Sequence, residues 1–226
     1  MILGKDFYGS ELELERLSQL FDHRSQISMF GFSLLHISCF GMSNLSIEDI
    51  ISQAISPAVD PNDAAGRTPM SWAAQRGDDA VVGKLLSIGA DPTLADFAGK
   101  TPLHWSVHAA DNQCLERLLS YKADVEAKDK DGRTALCLAV HRGADLSFTE
   151  ILLQHGANAK IGDWDRMTPL LWASLRDRPS VMSRLLEAGA NVGCRAWGAY
   201  GTAVCDRTQQ LQRTTIALRA RPTKSM

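Results

Sequence analysis

The chain has 226 residues, of which 45% are hydrophobic and 22% charged, and its formal net charge is -2. That is ordinary globular composition, enough for one domain or two small ones, and its charge balance gives no support to a nucleic-acid binder or a membrane-surface protein. No run of about 18 uncharged apolar residues is present to cross a membrane. The start, Met1 to Tyr8, meets a charge at Lys5 and is not expected to be a signal peptide. The five cysteines (Cys39, Cys114, Cys137, Cys194 and Cys205) are odd in number and form no C-x-x-C pair. A reduced protein of the cytoplasm or nucleus is expected, and as a monomer.

In chain order, Ser10-Glu11-Leu12-Glu13 reads as a capping box followed by Leu14, Leu17, Leu20 and Phe21. This predicts a helix over 10–22, within an N-terminal capping segment spanning 1–30. Ser33-Leu34-Leu35-His36 then opens a degenerate copy of a pattern that becomes clear downstream. Thr68-Pro69-Met70-Ser71, Thr101-Pro102-Leu103-His104, Thr134-Ala135-Leu136-Cys137 and Thr168-Pro169-Leu170-Leu171 recur at intervals of 33, 33 and 34 residues. Five residues before each Thr stands Asp63, Asp96, Asp129 or Asp163, and a leucine pair follows each, from Leu85-Leu86 to Leu185-Leu186. Each period closes on a motif such as Gly89-Ala90-Asp91 or Gly189-Ala190-Asn191.

Thr before Pro is a helix start, because the hydroxyl accepts from free N–H groups and Pro fits the first helical position. After Gly77 or Gly143 a second helix is predicted, with Val81, Val82, Leu85 and Leu86 on one stripe. Asp-x-x-Gly before the next Thr is turn chemistry. Each period is therefore helix, turn, helix and projecting turn. One such unit cannot bury its apolar face alone, so the units must stack. Arg166 departs from the pattern by replacing the turn glycine, so either that turn differs or it carries roughly 1–2 kcal/mol of strain. The third period carries one extra residue, placed between Ala144 and Phe148. Residues 196–226 read as a degenerate last repeat and a basic tail.

The Thr-Pro-Leu-His core, the period and the Gly-Ala-Asp/Asn ending resemble the ankyrin repeat, over 31–195. The resemblance implies an all-α solenoid of stacked helix-turn-helix units with projecting β-turns. It also implies a non-catalytic module that binds another protein. Proteins of this kind serve as scaffolds, inhibitors, transcriptional cofactors and substrate receptors, and stand-alone forms occur beside biosynthetic enzymes in filamentous fungi. The alternative is a piece of a larger multidomain protein.

No phosphate-binding loop, nucleophile elbow or His-Glu-x-x-His helix occurs, so neither catalysis nor a cofactor is expected, nor a small-molecule substrate. His104 and His108, four apart, could share a helix face toward a metal, but the resemblance makes His104 structural and no cysteine stands nearby in sequence. Trp72, Trp105 and Trp172 are expected in the core.

By position, the resemblance puts partner contacts on the turn tips and the inner-helix ends. Phe97 and Trp164 occupy tips and are candidate hot spots, the alternative being that each packs on its neighbour. Arg67, Lys100 and Arg133 precede the motif threonines, and Arg76, Arg142 and Arg176 end the inner helices beside His108 and His141. Six of eight such positions are basic. The partner is accordingly expected to offer an acidic segment to the concave groove. The two histidines are expected to face that groove together, as a pH-sensitive pair or as ordinary polar residues.

Overall fold

The computed structural model describes residues 59–191 together with His36 and Cys39. The capping segment over 1–30, the degenerate first copy except for those two residues, and the segment over 196–226 lie outside the described residues.

Among the described residues there are eight helices and no strand. They are α1 (Pro69–Arg76), α2 (Asp79–Ser87), α3 (Pro102–Ser106), α4 (Gln113–Ser120), α5 (Ala135–Arg142), α6 (Leu146–Gln154), α7 (Pro169–Leu175) and α8 (Pro179–Glu187). Each odd-numbered helix pairs with the next to make a hairpin. The odd helices also pack on one another, α1 on α3, α3 on α5 and α5 on α7, as an inner row. The even helices form the outer row, with α2 against α4 and α6 against α8. The fold is an all-α solenoid.

Local chemistry sets the boundaries. Thr68, Thr134 and Thr168 sit in extended conformation, and each side chain accepts from the N–H three residues on. Pro69, Pro102 and Pro169 open their helices, where a missing N–H costs nothing. α1 and α5 end on Gly77 and Gly143 in the left-handed region. α3 is shorter than expected. It closes at Ser106, so His108 and Ala109 lie in the turn beyond it. The helix face proposed for His104 and His108 therefore does not exist.

Stacking places equivalent residues in columns. Met70, Leu103, Leu136 and Leu170 are fully buried, as are Leu85, Leu118, Leu152 and Leu185. The first column steps by 33, 33 and 34, the second by 33, 34 and 33. The one-residue shift thus enters between Leu136 and Leu152. It falls after Gly143, where two residues rather than one reach the N-cap of the outer helix, Asp145. The Ala144 carbonyl exposed by that detour accepts from Arg178 of the next repeat.

Candidate functional site

Each projecting turn is built around its aspartate. Asp63 Oδ1 accepts from the N–H groups of Ala65 at 2.8 Å and Arg67 at 2.9 Å. Asp96 does the same with Ala98 and Lys100, and Asp129 with Asp131 and Arg133. The second oxygen faces the inner helix. It accepts the indole N–H of Trp72 at 2.9 Å, of Trp105 at 3.0 Å and, from Asp163, of Trp172 at 3.2 Å. The third period has Leu138 in place of tryptophan, and Arg133 Nε donates to Asp129 instead, at 3.0 Å. All four aspartates are buried, and Asp63, Asp96 and Asp163 link their turns to the inner helix of their own repeat. Sequence reasoning places the tryptophans in the core but misses this bond; the fixed nine-residue offset from Asp to Trp is the signal that carries it.

The motif histidine links neighbouring repeats. Thr101 N–H donates to His104 Nδ1 at 3.2 Å, which puts the proton on Nε2, and Nε2–H donates to the Arg133 carbonyl at 3.0 Å. His36 makes the equivalent 3.0 Å bond to the Arg67 carbonyl. Burial holds both imidazoles below the ordinary histidine range. With both nitrogens engaged, His104 has no lone pair for a metal. Adjacent turns are also joined by main-chain bonds, from Phe97 N to Ala65 O, Lys130 N to Ala98 O and Trp164 N to Asp131 O, at 3.0, 2.9 and 3.0 Å.

The row Arg67, Lys100 and Arg133 is not the exposed strip that its sequence positions suggest. Arg67 is sandwiched between the rings of Trp72 and Trp105, 4.6 and 3.9 Å from their centres, and its side chain is only 11% exposed. Lys100 is 9% exposed, with its ammonium 4.8 Å from the centre of the Trp105 ring. Arg133 pairs with Asp129 and Asp131. Burial lowers the pKa of Arg67 and of Lys100. These cations hold the tryptophan column together, and their charge is largely met by the turn aspartates.

The second row stands in the open. Arg76 and Arg142 are the last residues of α1 and α5, Arg176 caps α7, and all three are exposed. Arg76 donates to the Cys39 carbonyl at 3.1 Å. Between the rows lie the half-buried His108, 5.2 Å from the Trp105 ring, and His141, edge-on to Trp172 at 4.3 Å. Burial, followed by Arg142, Lys100, Arg67 and His104, pushes His108 down to about 3. Burial, followed by Arg176, Arg133 and Arg142, lowers His141. Both rings are neutral at physiological pH and sit among cations.

At the tips, Phe97 is 64% and Trp164 67% exposed. Each ring also lies flat over the glycine of the preceding turn. A Cβ on Gly66 would come within 2.6 Å of Phe97, and one on Gly132 equally close to Trp164. Trp164 Nε1 donates to the Lys130 carbonyl at 3.0 Å, and Lys128 Nζ stands 5.1 Å from its ring centre. One face of each aromatic is thus used in stacking and the other is turned to solvent. On the outer row an open cleft of about 590 Å³ lies between α2, α4 and α6, but two of its charges, Arg117 and Asp79, are spent on one another. Among the described residues no group of three or more His, Cys, Asp or Glu is placed to hold a metal, and no helix is long and apolar enough to cross a membrane.

Stacked two-helix repeats with an open groove define a solenoid whose surface is shaped for binding. A family model, Ankyrin repeats (3 copies), matches residues 35–129 and 103–196. The chain belongs to the ankyrin-repeat family. It is similar to human Palmitoyltransferase ZDHHC17, with 51% identity over 126 residues, covering 55% of this chain and 20% of that protein. The rat Palmitoyltransferase ZDHHC17 is 46% identical over 144 residues, 63% of this chain and 23% of the relative. Yeast Palmitoyltransferase AKR1 is 35% identical over 69 residues, 29% of this chain and 9% of the relative. The chain therefore spans about a fifth of the mammalian relatives and less of the yeast one.

Proposed function

We propose that this chain is a non-catalytic adaptor that receives an acidic segment of a partner protein in its concave groove. The carrying observation is the placement of Arg76, Arg142 and Arg176, exposed at one register of the inner row, beside two neutral imidazoles whose charged neighbours are cations. A carboxylate entering there meets guanidinium groups whose cost of desolvation is small, because they stand at the rim. Complementarity of this kind raises the association rate and rejects basic competitors. The solvent-facing sides of Phe97 and Trp164 extend the same surface to the tips, where aromatic anchors are common hot spots. Arg67, Lys100 and Arg133 support this surface from within rather than forming it.

The test is the triple reversal Arg76→Glu/Arg142→Glu/Arg176→Glu, measured against an acidic peptide by calorimetry at two salt concentrations. Loss of affinity by at least tenfold, together with a flatter salt dependence, is expected. Unchanged affinity and unchanged salt dependence would rule the groove out.

A second reading is favoured by the relatives. Identities of 46% and 51% to named palmitoyltransferases suggest that the array serves as the protein-binding part of a palmitoyltransferase-type protein. Transcript sequence running beyond Met226 into a further domain supports it. A stop codon directly after Met226, with no enzyme recovered alongside the native protein, removes it.

A further inference from the structure

We propose that the outer row carries a second binding site, a cleft beside α4 and α6 that accepts an arginine side chain of a partner protein. Along that row the described repeats meet at three joints. Immediately before the column leucines Leu118, Leu152 and Leu185 stand Arg117, Ile151 and Arg184. At the first joint Arg117 of α4 lies across Gly83 of α2 and forms a two-pronged ion pair with Asp79. At the third, Arg184 of α8 reaches back to Glu150 of α6, with 3.3 Å between Nε and Oε1. The middle joint has Ile151 in the arginine's place, and an aliphatic side chain cannot make the bond. The acceptor is nevertheless kept. Glu116 stands two residues before Leu118, as Glu150 stands two before Leu152.

The middle joint is also where the outer row opens. α2 packs on α4 and α6 on α8, and the cleft of about 590 Å³ is lined by Glu116 and Ser120 of α4, by Ile151 and Gln154 of α6, and by His155 just past its end. With Arg117 and Asp79 paired, exposed Glu116 is the carboxylate of this lining that has no ion pair among the described residues. The groups around it can accept as well. His155 Nδ1 donates to the Ile151 carbonyl at 3.0 Å, so the neutral ring keeps a lone pair on Nε2. Ser120 Oγ donates to the Arg117 carbonyl at 2.7 Å and retains its own lone pairs. Buried Ile151 offers an apolar wall for the methylenes of a long cationic side chain. A guanidinium brings five donors and no acceptor, the complement of that set. An ammonium is a compact, strongly hydrated charge that cannot fork onto a carboxylate. Arginine is also the residue that the chain itself uses at the first and third joints. The site belongs to the outer row, so it stands apart from the groove reading.

The test titrates the full, isotope-labelled chain with acetyl-arginine amide and follows backbone amide shifts by NMR. Saturable shifts should gather at Glu116, Ser120, Ile151 and His155. The neutral isostere acetyl-citrulline amide should move none of them, and acetyl-lysine amide should bind more weakly. Glu116→Gln, an exposed change, should weaken the arginine probe about fivefold, the scale of a partly exposed ion pair. Asp165→Asn, at an exposed turn tip, should leave its affinity unchanged. Folded Ile151→Arg should fill the cleft with the chain's own guanidinium and abolish probe binding. Shifts spread over every exposed carboxylate, or equal affinity in Glu116→Gln, overturn the site. Citrulline binding as tight as arginine overturns it too. Self-association of the wild-type chain that Glu116→Gln removes makes a second copy the occupant and overturns the assignment to a partner protein.

Discussion

A single buried aspartate holds together each projecting turn. Asp96 accepts from two main-chain N–H groups and one indole, and all three donors become orphans when the carboxylate is removed. Hydrogen bonds to a charged acceptor contribute ~1.5–3 kcal/mol each in isolation, but the turn can partly reopen to water. Asp96→Ala is therefore expected to destabilise by roughly 3 kcal/mol in urea titration, and to expose Trp105 to fluorescence quenching. Histidine chemistry acts at the same scale but with pH. His108 titrates near 3 when folded, against ~6.5 in an unfolded chain. Between those values the unfolded chain binds a proton that the folded chain refuses, so stability falls as pH falls. The loss begins below about pH 6.5 and reaches roughly 1–2 kcal/mol at pH 5. His36, His104 and His141 shift in the same direction and add to it, while the raised carboxyl of Asp163 opposes it. Thermal melts at pH 7 and pH 5 should separate by several degrees, and His108→Gln should narrow that gap.

At the scale of the element, three of the described residues hold left-handed backbone without being glycine: Lys122, Arg166 and Asp177. Each stands where another repeat uses glycine, at φ between 55° and 63°. Lys122 is aligned with Gly89, Gly156 and Gly189, whose φ values are 88°, 88° and 83°. A Cβ added at Gly89 or Gly156 would meet nothing within 4 Å, so at this position the conformation alone sets the cost. Lys122→Gly is expected to stabilise by about 1 kcal/mol, and Gly89→Ala to destabilise by a similar amount. Gly132→Ala should cost more, because its Cβ would also displace the Trp164 ring. Denaturant midpoints of the three variants check that order. The helix boundaries were legible because Thr, Pro and Gly act locally. The early end of α3 was not, since the second repeat has no glycine after its inner helix and only packing decides where the chain turns. The missing glycine leaves two options at Arg166, a different turn or a strained one, and its φ of 60° keeps the left-handed geometry; the same argument extends to Lys122 and Asp177.

For the whole molecule, the period alone prescribes the columns of the core and the stacking of hairpins. The site is less legible, because two rows of cations with the same spacing have opposite fates. Arg67 and Lys100 lie against the faces of the tryptophans, whereas Arg142 and Arg176 are exposed at the rim. Sequence position records the row but not the depth. The resulting charge distribution is uneven. The chain is net -2, yet its groove edge is basic. Exposed carboxylates such as Asp91, Asp124, Asp131 and Asp165 lie on the turns and their flanks, with Glu116 and Glu187 on outer helices. Under the function proposed above, such a field steers an acidic chain toward the groove before any contact forms. It acts over roughly one Debye length, ~10 Å at 0.1 M salt. Rim charges of this kind change association more than dissociation. Raising salt from about 0.05 M to about 0.3 M should therefore slow the binding of an acidic peptide several-fold in stopped flow. The dissociation rate should change by less than about twofold. Phe97→Ala and Trp164→Ala, tested on a full-length partner, should show the converse, faster dissociation with association unchanged. A salt effect confined to dissociation would mean that the arginines act only after contact, as desolvated pairs, and that the dipolar arrangement has no steering role.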